Sequence, residues 1–179
     1  MTELARRYGN SLYDLAREEG LDGELLAQLD GAAAVLRQNP AYLRLLSAPV
    51  LPKKERAGLL KDAFRDQAHP YIVHFLMLLC DEGLLRELGG CVRQYHDRYN
   101  QDHGIVEATA VSAVPLDEAA REKLTRKLAE ATGKTVTLAV RVDPAVLGGI
   151  RVDMAGTRLD GTVQRRLQTL RGEIAGAVL

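Results

Sequence analysis

The side chains able to do covalent chemistry are few and scattered along the 179 residues. Ser11, Ser47 and Ser112 are the only serines, and none lies in a nucleophile elbow or beside a side chain placed to act as its base. The four histidines (His69, His74, His96 and His103) fall on or beside two segments that read as helices, where surface or core roles are the ordinary ones. Cys80 and Cys91 are the only cysteines, and neither cysteines nor histidines show the paired Cys-x-x-Cys or His-x-x-x-His spacing that binds a metal. The two thiols are expected to be reduced core residues rather than a disulfide. Gly148-Gly149 could in principle cradle a phosphate, but such a cradle stands between a strand and a helix N-terminus. Here the glycines precede a strand-like run and no Gly-Lys-Ser/Thr follows, so a hairpin is the better use for them. The expectation is no catalytic residue, no cofactor and no metal.

Charge excludes a second class. Lysine plus arginine and aspartate plus glutamate are equal at 24 each. Divided at Gly104, the chain carries 13 basic and 15 acidic residues before it, and 11 and 9 after it. A nucleic-acid module would show a clear basic excess, and the arginines at 165, 166 and 171 do not supply one. The longest nearly unbroken apolar run, Tyr71 to Cys80, is interrupted by His74 and is too short to cross a bilayer. No basic-then-apolar leader opens the chain. A soluble, cytosolic protein with no direct membrane insertion is expected.

The elements that must position these residues fall into two halves. Residues 3–19 read as a first helix with Leu4, Tyr8, Leu12 and Leu15 as its stripe and Ser11 and Ala16 beside it. Gly9 in its middle costs roughly 1 kcal/mol relative to alanine unless it permits close packing. A second helix runs from about Asp22 to Gln38, with Leu25, Leu29, Ala32, Ala33 and Leu36 inward, and Asn39-Pro40 stops it. Tyr42 to Leu46 makes a short third helix, and Pro49 and Pro52 bound a turn. The next helix turns Leu59, Leu60, Ala63 and Phe64 inward. The helix from Pro70 to Glu82 is apolar around nearly its whole circumference, so it is either central or shares a face with a partner. After Gly83, Leu85 to Asp102 carries a stripe of Leu84, Leu88, Val92, Tyr95 and Tyr99.

At His103-Gly104 the periodicity changes from helical to alternating, which predicts domains at 1–104 and 105–179. Ile105 to Val114 reads as a strand and Leu116 to Thr132 as a helix with Ala120, Leu124 and Leu128 inward. Thr135 to Val142 alternates as a strand, and Ile150, Val152 and Met154 alternate as another. Thr157 to Leu159 is a short return strand, and Asp160 is a good N-cap for a last helix. In that helix Val163, Leu167, Leu170, Ile174 and Val178 share a face. The predicted fold class is α plus α/β: an N-terminal bundle of about six helices, then a small mixed β-sheet with two helices.

The C-terminal order of residues resembles a known family. Asp143-Pro144 leads to Gly148-Gly149, a hairpin follows, and then Asp160-Gly161-Thr162-Val163-Gln164-Arg165-Arg166-Leu167. This is similar to the C-terminal signature of the delta subunit of F-type ATP synthases, whose mitochondrial relative is the oligomycin-sensitivity-conferring protein. Upstream, Asn39-Pro40 followed by Leu45-Leu46-Ser47 and Pro49 resembles the family too. So do Phe75-Leu76, Leu78-Leu79, Gly83 and Leu85, and the run Ala5 to Tyr13. Asp153 and Ala155 depart from the family's habit, in the hairpin only.

The resemblance implies a non-catalytic stator subunit of the peripheral stalk, acting as a monomer within a hetero-oligomer. It would join the alpha subunit of the catalytic head to the membrane-anchored b subunits, so that proton-driven rotation is coupled to ATP synthesis. It would be cytoplasmic, peripheral on the inner face of the cell membrane. The family places the N-terminal helix of alpha between the first helix and the apolar one. By motif match the groove walls are Tyr8, Ser11 and Leu15 on one side and His74 and Leu78 on the other. The resemblance assigns b to residues 105–179 without naming contacts, Arg165 and Arg166 fitting packing as well as binding. The residues alone also leave open that Leu15 and Leu78 are plain core, and that the chain is a two-domain adaptor unrelated to ATP synthase.

Overall fold

The computed structural model describes residues 2–47, 51–65, 67–146, 148–154 and 156–161. The proposed last helix, from Val163 to Val178, lies outside the described residues, as do Arg165, Arg166, Pro49 and Ala155. Two compact units divide the chain, Met1–Asn100 and Gln101–Leu179. The fold is a helical unit followed by an α/β unit.

Six α-helices build the first unit: α1 (Glu3–Glu18), α2 (Asp22–Gln38), α3 (Pro40–Leu46), α4 (Lys53–Phe64), α5 (Pro70–Asp81) and α6 (Leu88–Asp102). Thr2 caps α1 by accepting the Ala5 amide, and Pro40 and Pro70 open α3 and α5, where a missing amide hydrogen costs nothing. The segment after Gly83 is not one helix, as its periodicity suggested. Leu85–Glu87 forms a 3-10 turn, held by the Glu87 amide on the Leu84 carbonyl, before α6 begins.

The α1 core face differs from the expected stripe. Ala5, Gly9, Leu12, Tyr13 and Ala16 are buried, whereas Leu4 and Leu15 are exposed. Gly9 explains the rotation. A Cβ built on it would lie 2.6 Å from the Cys91 carbonyl oxygen and 2.8 Å from Gln94 Cβ, so α1 and α6 touch backbone to backbone there. The Tyr13 and Tyr95 rings meet edge to face at 5.2 Å, and the Tyr95 hydroxyl donates to the Asp22 carbonyl at 2.8 Å. Gln94 donates to Asn10 at 3.1 Å, and Arg98 bonds Asp14 at 2.9 Å with its guanidinium over the Tyr13 ring. Smaller corrections follow the same logic. On α4, Leu60 and Phe64 are buried but Leu59 and Ala63 are not. On α6, Cys91 and Gln94 displace Val92 and Tyr99 from the centre.

In the second unit β1 (Ile105–Ser112), β2 (Thr135–Val142), β3 (Ile150–Met154) and β4 (Thr157–Asp160) form one sheet in the order β2-β1-β3-β4. β1 pairs with β2 in parallel and with β3 antiparallel, and α7 (Glu118–Thr132) connects the parallel pair. Its core is Ala108, Ala110, Leu128, Val136, Leu138 and Val152. β1 stops at Ser112, short of the expected Val114, because the Ser112 hydroxyl turns to donate to the Val114 carbonyl. Gly104 joins helix to strand at φ +61°, a backbone that a side chain would resist. Asp153, one of the two departures from the family pattern, is matched by its own neighbour. It pairs across strands with Arg158 and accepts that guanidinium at 2.7 Å, which holds its carboxyl below the usual range.

Two predictions follow from the first unit's packing. Gly9→Ala gains helix propensity but forces α1 off α6, and overpacking of this kind costs about 1–3 kcal/mol. A lowered urea midpoint is expected; a raised one would show the contact to be slack. Cys80 and Cys91 are both buried free thiols, and burial pushes the Cys91 thiol up to about 11. In the native protein at pH 8 a thiol-specific disulfide reagent should therefore label neither, and label both in denaturant.

Candidate functional site: an apolar groove between α1 and α5

Because Gly9 fixes which side of α1 meets the core, the other side carries residues with nowhere to go. Tyr8, Ser11 and Leu15 stand three and four positions apart and share that second face. On α5 six of the twelve residues, Ile72, Val73, Phe75, Leu76, Leu79 and Cys80, are buried in the bundle. Tyr71, His74 and Leu78 share a face left over.

These two leftover faces adjoin. Tyr8, Ser11, Leu12 and Leu15 from α1 and Tyr71, His74, Phe75 and Leu78 from α5 line one open groove of about 350 Å³. All five residues chosen from the sequence are among them. Leu15 and Leu78 are 37% and 45% exposed, so neither is plain core. Leu12 and Phe75 are buried and form the floor. Tyr71 was missed by the sequence reading, although 71, 74 and 78 carry the same spacing as 8, 11 and 15 and could have revealed it.

Thr2, at the start of α1, donates its hydroxyl to Glu87 at 2.7 Å, in the 3-10 turn that follows α5. At the other end, the His69 amide before α5 donates to the Gln28 side chain on α2. The groove has little polar demand of its own. Ser11 satisfies its hydroxyl by donating to the Arg7 carbonyl one turn back, at 3.1 Å. Ser11 and His74 both line it, but among the described residues no hydrogen bond joins the hydroxyl to the imidazole. Its geometry suits an apolar helix face laid lengthwise, as in helix-in-groove recognition.

A larger hollow, about 770 Å³, lies along α7 and β2, lined by Glu118, Arg121, Glu122, Thr125 and Arg126 among others. Size does not make it the better site. Its walls are charged and mutually engaged, with Arg121 near Glu118 and donating to the Leu138 carbonyl at 3.3 Å. Among the described residues no group of three or more His, Cys, Asp or Glu side chains could hold a metal.

Comparison with known proteins decides the family. The family profile of the ATP synthase delta (OSCP) subunit matches residues 4–174. The chain belongs to this family. ATP synthase subunit delta of Alkaliphilus oremlandii is 27% identical over 176 residues, covering 98% of both chains. That of an Exiguobacterium species is 32% identical over 174 residues, 97% of this chain and 98% of the relative. A chain of the Toxoplasma gondii mitochondrial ATP synthase hexamer superimposes with a TM-score of 0.75 at 15% identity, over 97% and 98% of the two chains, and so shares the fold. Delta (OSCP) subunits are peripheral-stalk components of F-type ATP synthase, a structural rather than catalytic place in the complex. The chain is thus a stator subunit, peripheral to a membrane-bound machine, and an adaptor unrelated to ATP synthase has no support.

The exposure of the groove makes a stability prediction that separates its wall from the core. Leu78→Asp should change the unfolding free energy by no more than about 0.5 kcal/mol, as at ordinary surface sites. Leu79→Ala, one residue on, should cost about 2–5 kcal/mol, as buried truncations do. Urea titration of both variants checks the pair; equal losses would mean that Leu78 is core after all.

Proposed function

We propose that the groove between α1 and α5 receives the N-terminal helix of the ATP synthase alpha subunit. The observation that carries this reading is the apolar groove that Tyr8, Ser11, Leu15, His74 and Leu78 line together, with Leu15 and Leu78 left exposed. An amphipathic helix laid there would cover Leu15 and Leu78, and each leucine fully withdrawn from water contributes about 1.5–3 kcal/mol. A stator contact resists torque while the rotor turns, so tight binding is required. Nanomolar affinity corresponds to about −12 kcal/mol.

The second attachment, to the C-terminal ends of the membrane-anchored b subunits, belongs to residues 105–179. Each unit has its own apolar core, which supports this division of labour between 1–104 and 105–179. Held by alpha above and b below, the chain sits on the inner face of the membrane without entering it. No helix among the described residues is long and apolar enough to cross a bilayer.

Calorimetric titration with a synthetic alpha N-terminal peptide tests the groove. One-to-one binding should weaken at least about a hundredfold in Leu78→Asp, the scale of a polar intrusion into an apolar contact. Unchanged affinity in a folded variant would sink the assignment. Removing residues 105–179 should abolish capture of b and spare alpha binding, with circular dichroism confirming the helical unit. Loss of both in a folded sample would refute the division.

A further inference from the structure

The two edges of the four-stranded sheet are built differently. β4, at one edge, has four residues, all exposed, and two of them, Arg158 and Asp160, are charged. A short, charged strand is a common defence of a sheet edge against pairing with other chains. β2, at the other edge, has eight residues, and Arg141 is its one charged side chain. Two hydrogen bonds fix how its backbone points. The Thr135 amide donates to the Gly104 carbonyl at 3.1 Å and the Asp143 amide to the Ser112 carbonyl at 2.9 Å, so the odd-numbered residues turn toward β1. Val136, Leu138, Val140 and Val142 therefore turn their amides and carbonyls to the open side. Arg121 of α7 meets this row, donating from Nη2 to the Leu138 carbonyl at 3.3 Å.

The open row is complementary to itself. An antiparallel neighbour pairs outward residue with outward residue. With a two-fold axis at Ala139, Val136 faces Val142 of a second copy and Leu138 faces its Val140. All four outward residues of each strand are then used, in about eight hydrogen bonds. The facing side chains are aliphatic, and such cross-strand pairs stabilise a sheet. On the other face Thr137 meets Arg141 and Ala139 meets itself, so no like charges oppose. An axis at Val140 would set Val136 against Pro144, which has no amide hydrogen, and an axis at Leu138 would set Val142 against Lys134, outside the strand. The hollow along α7 and β2 opens beside Val136 and Leu138, where a further strand would lie.

We propose that the β2 edge is a self-association surface for a second copy of this chain, held closed by Arg121. The Leu138 carbonyl that Arg121 occupies is the acceptor that the Val140 amide of an incoming copy needs. Folding has little use for that bond, because a carbonyl at an open edge is satisfied by water. Its effect is to fill the edge where a long strand of low charge lacks the defences of β4.

Sedimentation equilibrium of the full chain tests the guard. Arg121→Ala should dimerise at least about tenfold tighter than the parent chain, with an unchanged circular dichroism spectrum. Glu118→Gln removes the ion-pair partner of Arg121, 4.0 Å away, but leaves the cap, and should behave as the parent. Ala139 is exposed at the axis. Ala139→Asp and Ala139→Lys, each added to Arg121→Ala, place like charges opposite one another and should each restore the monomer. Mixed together, those two chains should form a heterodimer. An Arg121→Ala chain as monomeric as the parent would overturn the proposal. So would Arg121→Ala dimers that survive both Ala139 substitutions, because their interface would lie elsewhere.

Discussion

The close crossing of α1 on α6 at Gly9 governs the helical unit. Backbone touches backbone there, with the Cys91 carbonyl in the space a methyl group would need. A contact that close tolerates one rotation of α1 about its axis. The edge-to-face tyrosine pair, the Tyr95 bond to the Asp22 carbonyl and the Gln94–Asn10 bond all depend on that rotation. Everything on the far side of α1 is then left over, and what is left over includes Leu4, Tyr8 and Leu15. A helix with two apolar faces satisfies only one within its own bundle.

α5 shows the same division by a different route. Its composition is apolar nearly all round, yet a helix in a small bundle has neighbours over only part of its circumference. Six of its residues enter the core, and Leu78 stays 45% exposed beside His74. An exposed leucine by itself means little, since much of any protein surface is apolar. Two such faces side by side over a floor of Leu12 and Phe75 mean more, because bundle stability does not require them to adjoin.

This suits a subunit whose work is mechanical. A stator needs no pocket that closes on a small molecule and no titrating pair; it needs a rigid bed with unused apolar area. Buried thiols held in their protonated form and a serine that bonds its own helix leave little reactive chemistry near that bed. The α/β unit is built on the same plain terms. Its sheet departs from the family pattern at Asp153 on β3, and the adjacent strand supplies Arg158 to answer it.

Much of this was legible in the residues before any coordinates. Helix limits followed from local signals, with Pro40, Pro70 and Gly83 punctuating the first unit and the shift to alternation at Gly104 opening the second. Strand positions in the α/β unit followed from alternation, because a sheet with one covered face repeats every two residues. Family signatures in order gave the stalk role and the five groove residues. Periodicity failed where α1 has two apolar faces. It averaged them into the single stripe Leu4, Tyr8, Leu12 and Leu15, and only Leu12 of those is buried. Which face a helix commits inward is a long-range matter, decided here by a glycine meeting a carbonyl 82 residues away. The sequence alone determined where the elements lie and which residues are apolar. Tertiary structure alone decided which apolar residues are left facing water, because that depends on what each helix meets.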